Sequence, residues 1–142
     1  MSQGPVDVVR EQFAATNARD FDGAMEMYAD DVVLLVGEGW GITSGTYEGK
    51  ASVGEWFGDW FRQFAPGYHF EITEARELGG GVVYLVAKHG GAGRTSGVEV
   101  GGESGYVYRV ADGKINRVGL FATPADALEA AALPEWSGAE TD

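Results

Sequence analysis

The stretch KASVGEWFGDWFRQF, residues 50–64, has the strongest periodic pattern in the sequence. Its apolar side chains recur at helical spacing and put five aromatic rings on one broad face: Val53, Trp56, Phe57, Trp60, Phe61 and Phe64. A helix with so apolar a face must pack against an equally apolar surface. The pattern therefore predicts a helix that lies on the concave side of a curved sheet and ends at Pro66 and Gly67.

The flanking segments supply the rest of this architecture. Upstream, apolar spacing predicts a helix over residues 5–18, a second short helix over 21–28 and a buried strand over 32–36. Downstream, alternating apolar runs predict four strands, at 68–78, 82–89, 97–110 and 114–122. A last short helix is predicted over 123–133, stopped by Pro134. This order of elements is typical of an α+β fold in which helices cover one face of a bent sheet.

Length and composition limit the range of functions. A chain of 142 residues is expected to form a single domain over 1–142, with a core over 6–133 and a frayed tail over 134–142. Ten basic and 22 acidic side chains give a net charge of −12, so neither nucleic acid nor a membrane is an expected partner. Without cysteine, disulfides and thiolate nucleophiles are excluded. The absence of a secretory signal pattern predicts a cytoplasmic protein.

Three segments resemble one protein family. NARDFDGAMEMYADDVVLL (17–35), TYEGKASVGEWF (46–57) and YRVADGKINRVGLF (108–121) are similar in order and spacing to motifs of the SnoaL-like branch of the nuclear-transport-factor-2-like superfamily. That superfamily includes ketosteroid isomerases, polyketide cyclases, epoxide hydrolases and proteins without catalytic activity. The resemblance extends from Val6 to Leu133, and it implies the fold more strongly than any one function.

The resemblance implies a cone-shaped fold with a ligand pocket. In this fold, three helices from the N-terminal half cover the concave face of a strongly curved mixed or antiparallel sheet, and a short helix follows at the C-terminus. A pocket between the aromatic helix and the sheet would suit a planar hydrophobic molecule. The residues predicted to bind it are Tyr28, Leu34, Val36, Trp56, Phe57, Trp60, Phe64 and Tyr108.

The catalytic residues of the better-known relatives do not carry over. The resemblance places the general base of the ketosteroid isomerases at Val36, their first hydrogen-bond donor near Gln12 and their second near Tyr106. Of these, only Tyr106 retains the proton that its role requires. The Asp–Arg–Asp relay of the epoxide hydrolases has no counterpart, because Arg109 has no neighbouring aspartate on its strand.

A second stretch, VAKHGGAGRTSGVEV at 86–100, contains the candidate acid or base. Its glycines run into a strand rather than a helix, which excludes a phosphate-binding loop. His89 and the Ser96-Gly97 pair resemble a histidine and a small-residue–glycine pair of the polyketide cyclases. The aspartate that partners the cyclase histidine is missing, and the nearest carboxylates are Glu99 and Glu103. Strand alternation turns His89 inward, where it could act as acid or base; the alternative is a solvated histidine at the rim.

The residues favour two functions. The first is binding of a planar hydrophobic compound, with cofactor-free cyclisation, isomerisation or dehydration in which His89 is the acid or base and Tyr106 donates a hydrogen bond. The second is a non-catalytic ligand-binding or dimerising module. An apolar strip formed by Val82, Tyr84 and Val86 would then be buried in a homodimer. Neither a metal site nor a cofactor is predicted, because the two histidines lie on separate strands and His69 is expected to face solvent.

Overall fold

The computed structural model describes residues 4–37, 44–64, 67–92 and 99–137. The helices are α1 (Pro5–Asn17), α2 (Phe21–Glu26), α3 (Lys50–Arg62), α4 (Pro124–Ala131) and α5 (Pro134–Ser137). The strands are β1 (Tyr28–Val36), β2 (Gly45–Glu48), β3 (His69–Gly79), β4 (Val82–Ala92), β5 (Glu99–Ala111) and β6 (Lys114–Phe121). The predicted positions of Pro66 and of the Ser96-Gly97 pair lie outside the described residues.

All six strands form one curved, unclosed sheet in the order β2-β1-β6-β5-β4-β3. Neighbouring strands are antiparallel except β1 and β6, which run parallel. β1 lies in the sheet beside β6, which is five strands later in the chain, and α3 packs against β1. This arrangement sets the aromatic helix across one end of the concave face.

The helices divide between the two faces of the sheet. On the concave face, α1, α2 and α3 enclose the larger core, which includes Val9, Phe13, Val53 and Trp56. On the opposite face, α4 and α5 cover a second, smaller core. The α+β class, the curved sheet, the three N-terminal helices and the short C-terminal helix are confirmed.

The apolar strip predicted for a dimer interface is covered within the chain. Val82, Tyr84 and Val86 are buried beneath α4 and α5 in the second core. Gly105 allows this contact, since a Cβ atom there would lie 2.5 Å from the Cβ of Ala127 on α4. The strip is therefore not available for the homodimer contact that the sequence suggested.

The predicted frayed tail is wrong as far as Ser137. Pro134 begins the helical turn α5, which places Trp136 against the sheet with 1% of its surface exposed. Arg117 of β6 donates a hydrogen bond to Glu135 at 2.7 Å, and its guanidinium lies over the Trp136 ring at 5.1 Å. Burial of a large indole gives this segment the apolar contact that a free tail lacks.

Two further element boundaries differ from the sequence analysis. β1 begins at Tyr28 rather than residue 32, and the short strand β2 was not predicted. β2 is largely exposed and is held by pairing with β1, in which Leu34 is opposite Tyr47. A four-residue edge strand gains most of its stability from such pairing, so its own sequence carries little signal.

Candidate functional site

A cavity of about 140 Å³ lies between the concave face of the sheet and the three N-terminal helices. No charged side chain occurs among its described lining residues, and most of them are aromatic or aliphatic. The lining comprises Gln12, Phe13, Thr16, Phe21, Ala24, Met25, Tyr28, Gly54, Trp56, Phe57, Gly58, Trp60, Phe61, Phe70, Tyr106, Tyr108 and Leu120. Such a composition is suited to an uncharged apolar ligand.

Flat aromatic surfaces form one side of the cavity. The rings of Trp56 and Trp60 stack with their centroids 5.6 Å apart and their planes 6° from parallel. One turn of α3 separates these two residues, so the helix itself sets the stack. Phe57, on the same helix, stacks against Tyr28 of β1 at 6.2 Å. These parallel faces favour a planar ligand over a bulky aliphatic one.

The mouth of the cavity lies between α2 and α3. Phe21 of α2 lines the cavity and is 41% exposed, and its ring lies 5.3 Å from that of Phe61 on α3. Gly54 and Gly58 of α3 line the same edge. A Cβ atom at Gly54 would come within 3.3 Å of the Met25 side chain, so glycine here lets the two helices approach closely.

Three buried tyrosines form the inner side, which we call the tyrosine wall: Tyr28 of β1 and Tyr106 and Tyr108 of β5. Burial raises the pKa of each phenol, and charges on Tyr28 and Tyr106 would raise that of Tyr108 further. Tyr106 and Tyr108 lie two residues apart on the same face of β5, and both line the cavity together with Tyr28. The wall therefore stays neutral at physiological pH and presents proton donors.

His89 belongs to a hydrogen-bonded chain behind the cavity. Its Nδ1 lies 2.8 Å from the Tyr68 hydroxyl and its Nε2 lies 3.1 Å from the Ser104 hydroxyl. Trp60 donates its indole N–H to the Tyr68 hydroxyl at 3.3 Å. We call Trp60, Tyr68, His89 and Ser104 the relay. It approaches the cavity at both ends, because Trp60 lines the cavity and Ser104 lies two residues before Tyr106, another lining residue, on the same face of β5.

The protonation state of the relay follows from its burial. Burial lowers the pKa of His89 below its ordinary value of 6.5, and its two ring nitrogens hydrogen-bond the uncharged hydroxyls of Tyr68 and Ser104. Burial also raises the pKa of Tyr68 to about 12, although Trp60 and Arg19 counteract part of the rise. At neutral pH the imidazole is thus neutral, with one nitrogen donating and the other accepting a hydrogen bond.

Asn17 and Arg19 position the start of β3, which carries Phe70 and follows Tyr68. The Asn17 side chain donates to the Phe70 carbonyl at 2.8 Å and accepts from the Phe70 N–H at 2.9 Å, so it pairs with the edge strand like a neighbouring backbone. Arg19 donates to the Tyr68 carbonyl, and its guanidinium lies 5.5 Å from the centre of the Phe61 ring. The loop after α1 therefore fixes one end of both the cavity and the relay.

The structure brings some of the sequence-predicted site residues to the cavity. Tyr28, Trp56, Phe57, Trp60, Tyr106 and Tyr108 line it. Leu34 and Val36 are not among the described lining residues, because α3 packs directly over β1 and buries both in the core. Phe64 is also absent from that lining; its ring stacks on Tyr68 at 4.0 Å.

His89 is turned inward but does not border the cavity among its described lining. It hydrogen-bonds Tyr68 and Ser104, whereas the sequence left its partner unassigned and offered Glu99 and Glu103 only as the nearest carboxylates. Glu103 is exposed, and the Glu99 side chain lies outside the described part of the structure. His69 is exposed, as expected. Among the described residues, no three potential metal ligands cluster.

Sequence reasoning missed several polar residues of the site. Gln12 and Thr16 are buried on the inner face of α1, where the Gln12 amide donates to the Thr16 hydroxyl at 3.0 Å and Thr16 donates to the Gln12 carbonyl at 2.9 Å. Together with Val9 and Phe13 they recur every three or four residues along one face of α1, and this spacing is the sequence feature that could have predicted their burial. Ser104 lies on β5 two residues beyond Gly102, the register partner of His89, and no local pattern marks it.

None of the helices in the described ranges is long and apolar enough to cross a bilayer. A search of curated proteins finds no significant match.

Solved structures share the fold at low sequence identity. A nuclear-transport-factor-2-like protein from Burkholderia thailandensis is 22% identical, with a TM-score of 0.74, over 89% of this chain and 98% of its own. The Rv0760c protein of Mycobacterium tuberculosis, solved in complex with estradiol-17β-hemisuccinate, is 18% identical, with a TM-score of 0.70, over 83% and 93% of the two chains. TerC, co-crystallised with polyporic acid, is 20% identical, with a TM-score of 0.72, over 88% and 95%.

A family model agrees with these structural likenesses. Residues 9–118, which include both the aromatic helix and the strands of the site, match the model of the SnoaL-like domain. The match covers well over half of the chain, and the chain belongs to the SnoaL-like family.

Proposed function

We propose that this protein binds a small, planar, uncharged aromatic molecule in the cavity between α1, α2, α3 and the sheet. The observation that carries the proposal is the cavity of about 140 Å³, whose described lining is aromatic and without charge. Two fold relatives were solved with small ring-containing ligands, estradiol-17β-hemisuccinate and polyporic acid, which supports this use of the fold.

The size of the cavity sets the size of the ligand. An engineered protein cavity of about 150 Å³ lined by aliphatic and aromatic side chains binds benzene. The present cavity, at about 140 Å³, therefore suits a single aromatic ring with a short substituent. A larger ligand would extend through the mouth between Phe21 and Phe61, where the lining is already partly exposed.

Binding of ethylbenzene to the full chain tests this proposal. We expect saturable binding by isothermal titration calorimetry, with a change in fluorescence of Trp56 and Trp60, whose stacked rings line the cavity. The variant Ala24→Phe should abolish binding, because Ala24 is buried at the cavity and a ring placed there occupies the ligand volume.

The variant Ala14→Phe is the matched control, since Ala14 lies on the exposed side of α1. It should bind ethylbenzene like the parent protein. Equal binding by the parent and Ala24→Phe would place the ligand elsewhere and refute the assignment of the cavity.

A second candidate function is cofactor-free proton transfer on the bound molecule, as in isomerisation, cyclisation or dehydration. The relay supports it, because the neutral imidazole hydrogen-bonds Ser104, which lies two residues before the lining residue Tyr106 on the same face of β5. In this proposal Tyr106 contacts the substrate, and His89 is a positioning residue that exchanges a proton with Tyr106 through Ser104.

Exchange of the methyl protons of acetophenone in D₂O tests the second candidate. A hydrogen bond from Tyr106 to the carbonyl oxygen makes those protons more acidic; solvent base removes one of them and D₂O returns a deuteron to the carbon, so NMR should show exchange above the rate in buffer. His89→Gln should lower the exchange rate and leave acetophenone binding intact. His69→Gln, at the exposed histidine, is the control. Unchanged exchange in His89→Gln would remove the relay from the mechanism.

A further inference from the structure

The tyrosine wall contains a polar atom that none of the described residues hydrogen-bonds. The Tyr28 hydroxyl is shielded from solvent and has no hydrogen-bond partner among the described residues. The Tyr28 ring itself is 1% exposed, held by stacking on Phe57, and lines the cavity. A buried hydroxyl without a partner destabilises a protein unless another group satisfies it.

The surroundings of Tyr28 define the chemistry of that group. Tyr108 and Tyr106 stand beside it in the wall, and all three phenols are held in their protonated form by burial. A protonated phenol donates to an acceptor, so the wall calls for an oxygen with free lone pairs. Among the described lining residues no lysine, arginine or histidine is present to compensate an anionic ligand.

We propose that the ligand is an uncharged single-ring aromatic carbonyl compound whose oxygen accepts a hydrogen bond from Tyr28 at the tyrosine wall, while its ring lies against Trp56 and Trp60. This inference rests on the proposed function, and it adds the class of the ligand and its orientation. The aromatic contact and the hydrogen bond together fix one direction of binding.

Three probes of similar shape test separately the contributions of the aromatic ring, the carbonyl oxygen and a negative charge to binding. Ethylbenzene supplies the ring alone, acetophenone adds the carbonyl oxygen, and benzoate adds a negative charge. Calorimetric titration of each probe into the parent protein, Tyr28→Phe and Tyr84→Phe is the experiment. Tyr84 is the matched control, because it lies under α4 on the opposite face of the sheet and donates to the Pro124 carbonyl at 3.4 Å.

We expect the affinity for acetophenone to fall about tenfold in Tyr28→Phe, which corresponds to one lost hydrogen bond of about 1.4 kcal/mol. The affinity for ethylbenzene should stay within about twofold, and Tyr84→Phe should bind both probes like the parent. Benzoate should not bind the parent protein at neutral pH. Tyr108→Phe is a second variant of the wall, and it should also weaken acetophenone more than ethylbenzene.

The outcomes distinguish the inference from the proposed function. Equal losses, or no loss, for acetophenone and ethylbenzene in both wall variants would overturn the role of the wall. Benzoate binding as tightly as acetophenone would overturn the restriction to uncharged ligands. Failure of both neutral probes to bind the parent protein would instead refute the proposed function itself.

Discussion

Acidification should destabilise this protein through one identifiable group, His89. The imidazole is half-buried, and its hydrogen bonds are to two neutral hydroxyls, those of Tyr68 and Ser104. Burial lowers its pKa below the ordinary value of 6.5. The folded protein therefore binds a proton at this site less readily than the unfolded chain does.

The sign and size of the effect follow from this difference. Above about pH 6.5 the imidazole is neutral in both states and contributes no pH dependence. As the pH falls below about 6.5, the unfolded chain takes up the proton first, so the free energy of unfolding decreases by at most about 1.4 kcal/mol per pH unit. The decrease ends where the pH reaches the lowered pKa of the folded state, because both states are then protonated.

Urea denaturation of the parent and His89→Gln between about pH 7.5 and pH 5.5 measures this contribution. Carboxylates titrate in both proteins, so the difference between the two free energies of unfolding isolates His89. That difference should shrink as the pH falls, because only the parent carries a buried imidazole. His69→Gln is the control, since His69 is exposed, and it should track the parent at every pH.

An NMR titration of the His89 imidazole gives an independent check. His89 should titrate below 6.5. A His89 pKa at or above 6.5, or a parent-minus-variant difference that does not change with pH, would refute the account, because the charged ring would then be stabilised by a group other than its two neutral partners.

Three further predictions concern the fold around the site. Trp136→Ala should lower the free energy of unfolding by about 3–5 kcal/mol in urea denaturation, because it removes a fully buried indole; a loss below about 1 kcal/mol would mean that α5 is not part of the folded unit. Gly105→Ala should lower the melting temperature measured by circular dichroism, because the new Cβ would lie 2.5 Å from that of Ala127. Gly102→Ala, on the same strand but with no atom within 4 Å of its new Cβ, should leave the melting temperature unchanged. Equal effects of the two substitutions would contradict the packing of α4. Asn17→Ala should lower the free energy of unfolding by about 1–3 kcal/mol, because it removes two hydrogen bonds to Phe70. Amide hydrogen exchange at the start of β3 should become faster; an unchanged exchange rate would show that Asn17 does not hold this end of the strand.

The concave half of the fold could be predicted because its signal is local. In α3 the spacing of Val53, Trp56 and Trp60 marks both the helix and its buried face. The strands β3 to β6 and the turn between β5 and β6 were likewise marked by apolar runs bounded by glycine. These patterns depend on neighbours within about two turns of a helix or along one strand, which a single sequence displays.

The outer half could not be predicted because its signal is long-range. The run VVYLVA at 82–87 is apolar on both faces of the strand, which indicates burial on both sides. The sequence does not say whether a second copy or the chain itself covers the outer side. The answer depends on α4 and α5, because Ala127 of α4 packs where Gly105 leaves room and the Trp136 ring of α5 packs where Gly119 does. That match of distant positions has no local pattern.

The candidate site likewise has features that the local sequence predicts and features that depend on distant residues. The inward direction of His89 followed from its alternation with Lys88, which is exposed. Its partners did not follow, since Tyr68 and Ser104 are set by the registers of β3 and β5 against β4, in which Phe70 and Gly102 pair with His89. Register depends on turns and bulges as well as on side-chain pattern, and the glycine-rich segment between β4 and β5 leaves it open.

The arrangement separates the surface that binds from the groups that could move a proton. In the proposed function the rings of Trp56 and Phe57 contact the ligand, whereas His89 lies behind Phe70, whose ring centroid is 6.0 Å from that of the imidazole. Among the described residues, Trp60 is the member of the relay that lines the cavity, and Ser104 lies two residues before Tyr106 on β5. The proposed binding therefore depends neither on the relay nor on a base at Val36. In the second candidate function, by contrast, proton transfer passes through Tyr106, because an indole N–H cannot exchange its role as donor for that of an acceptor.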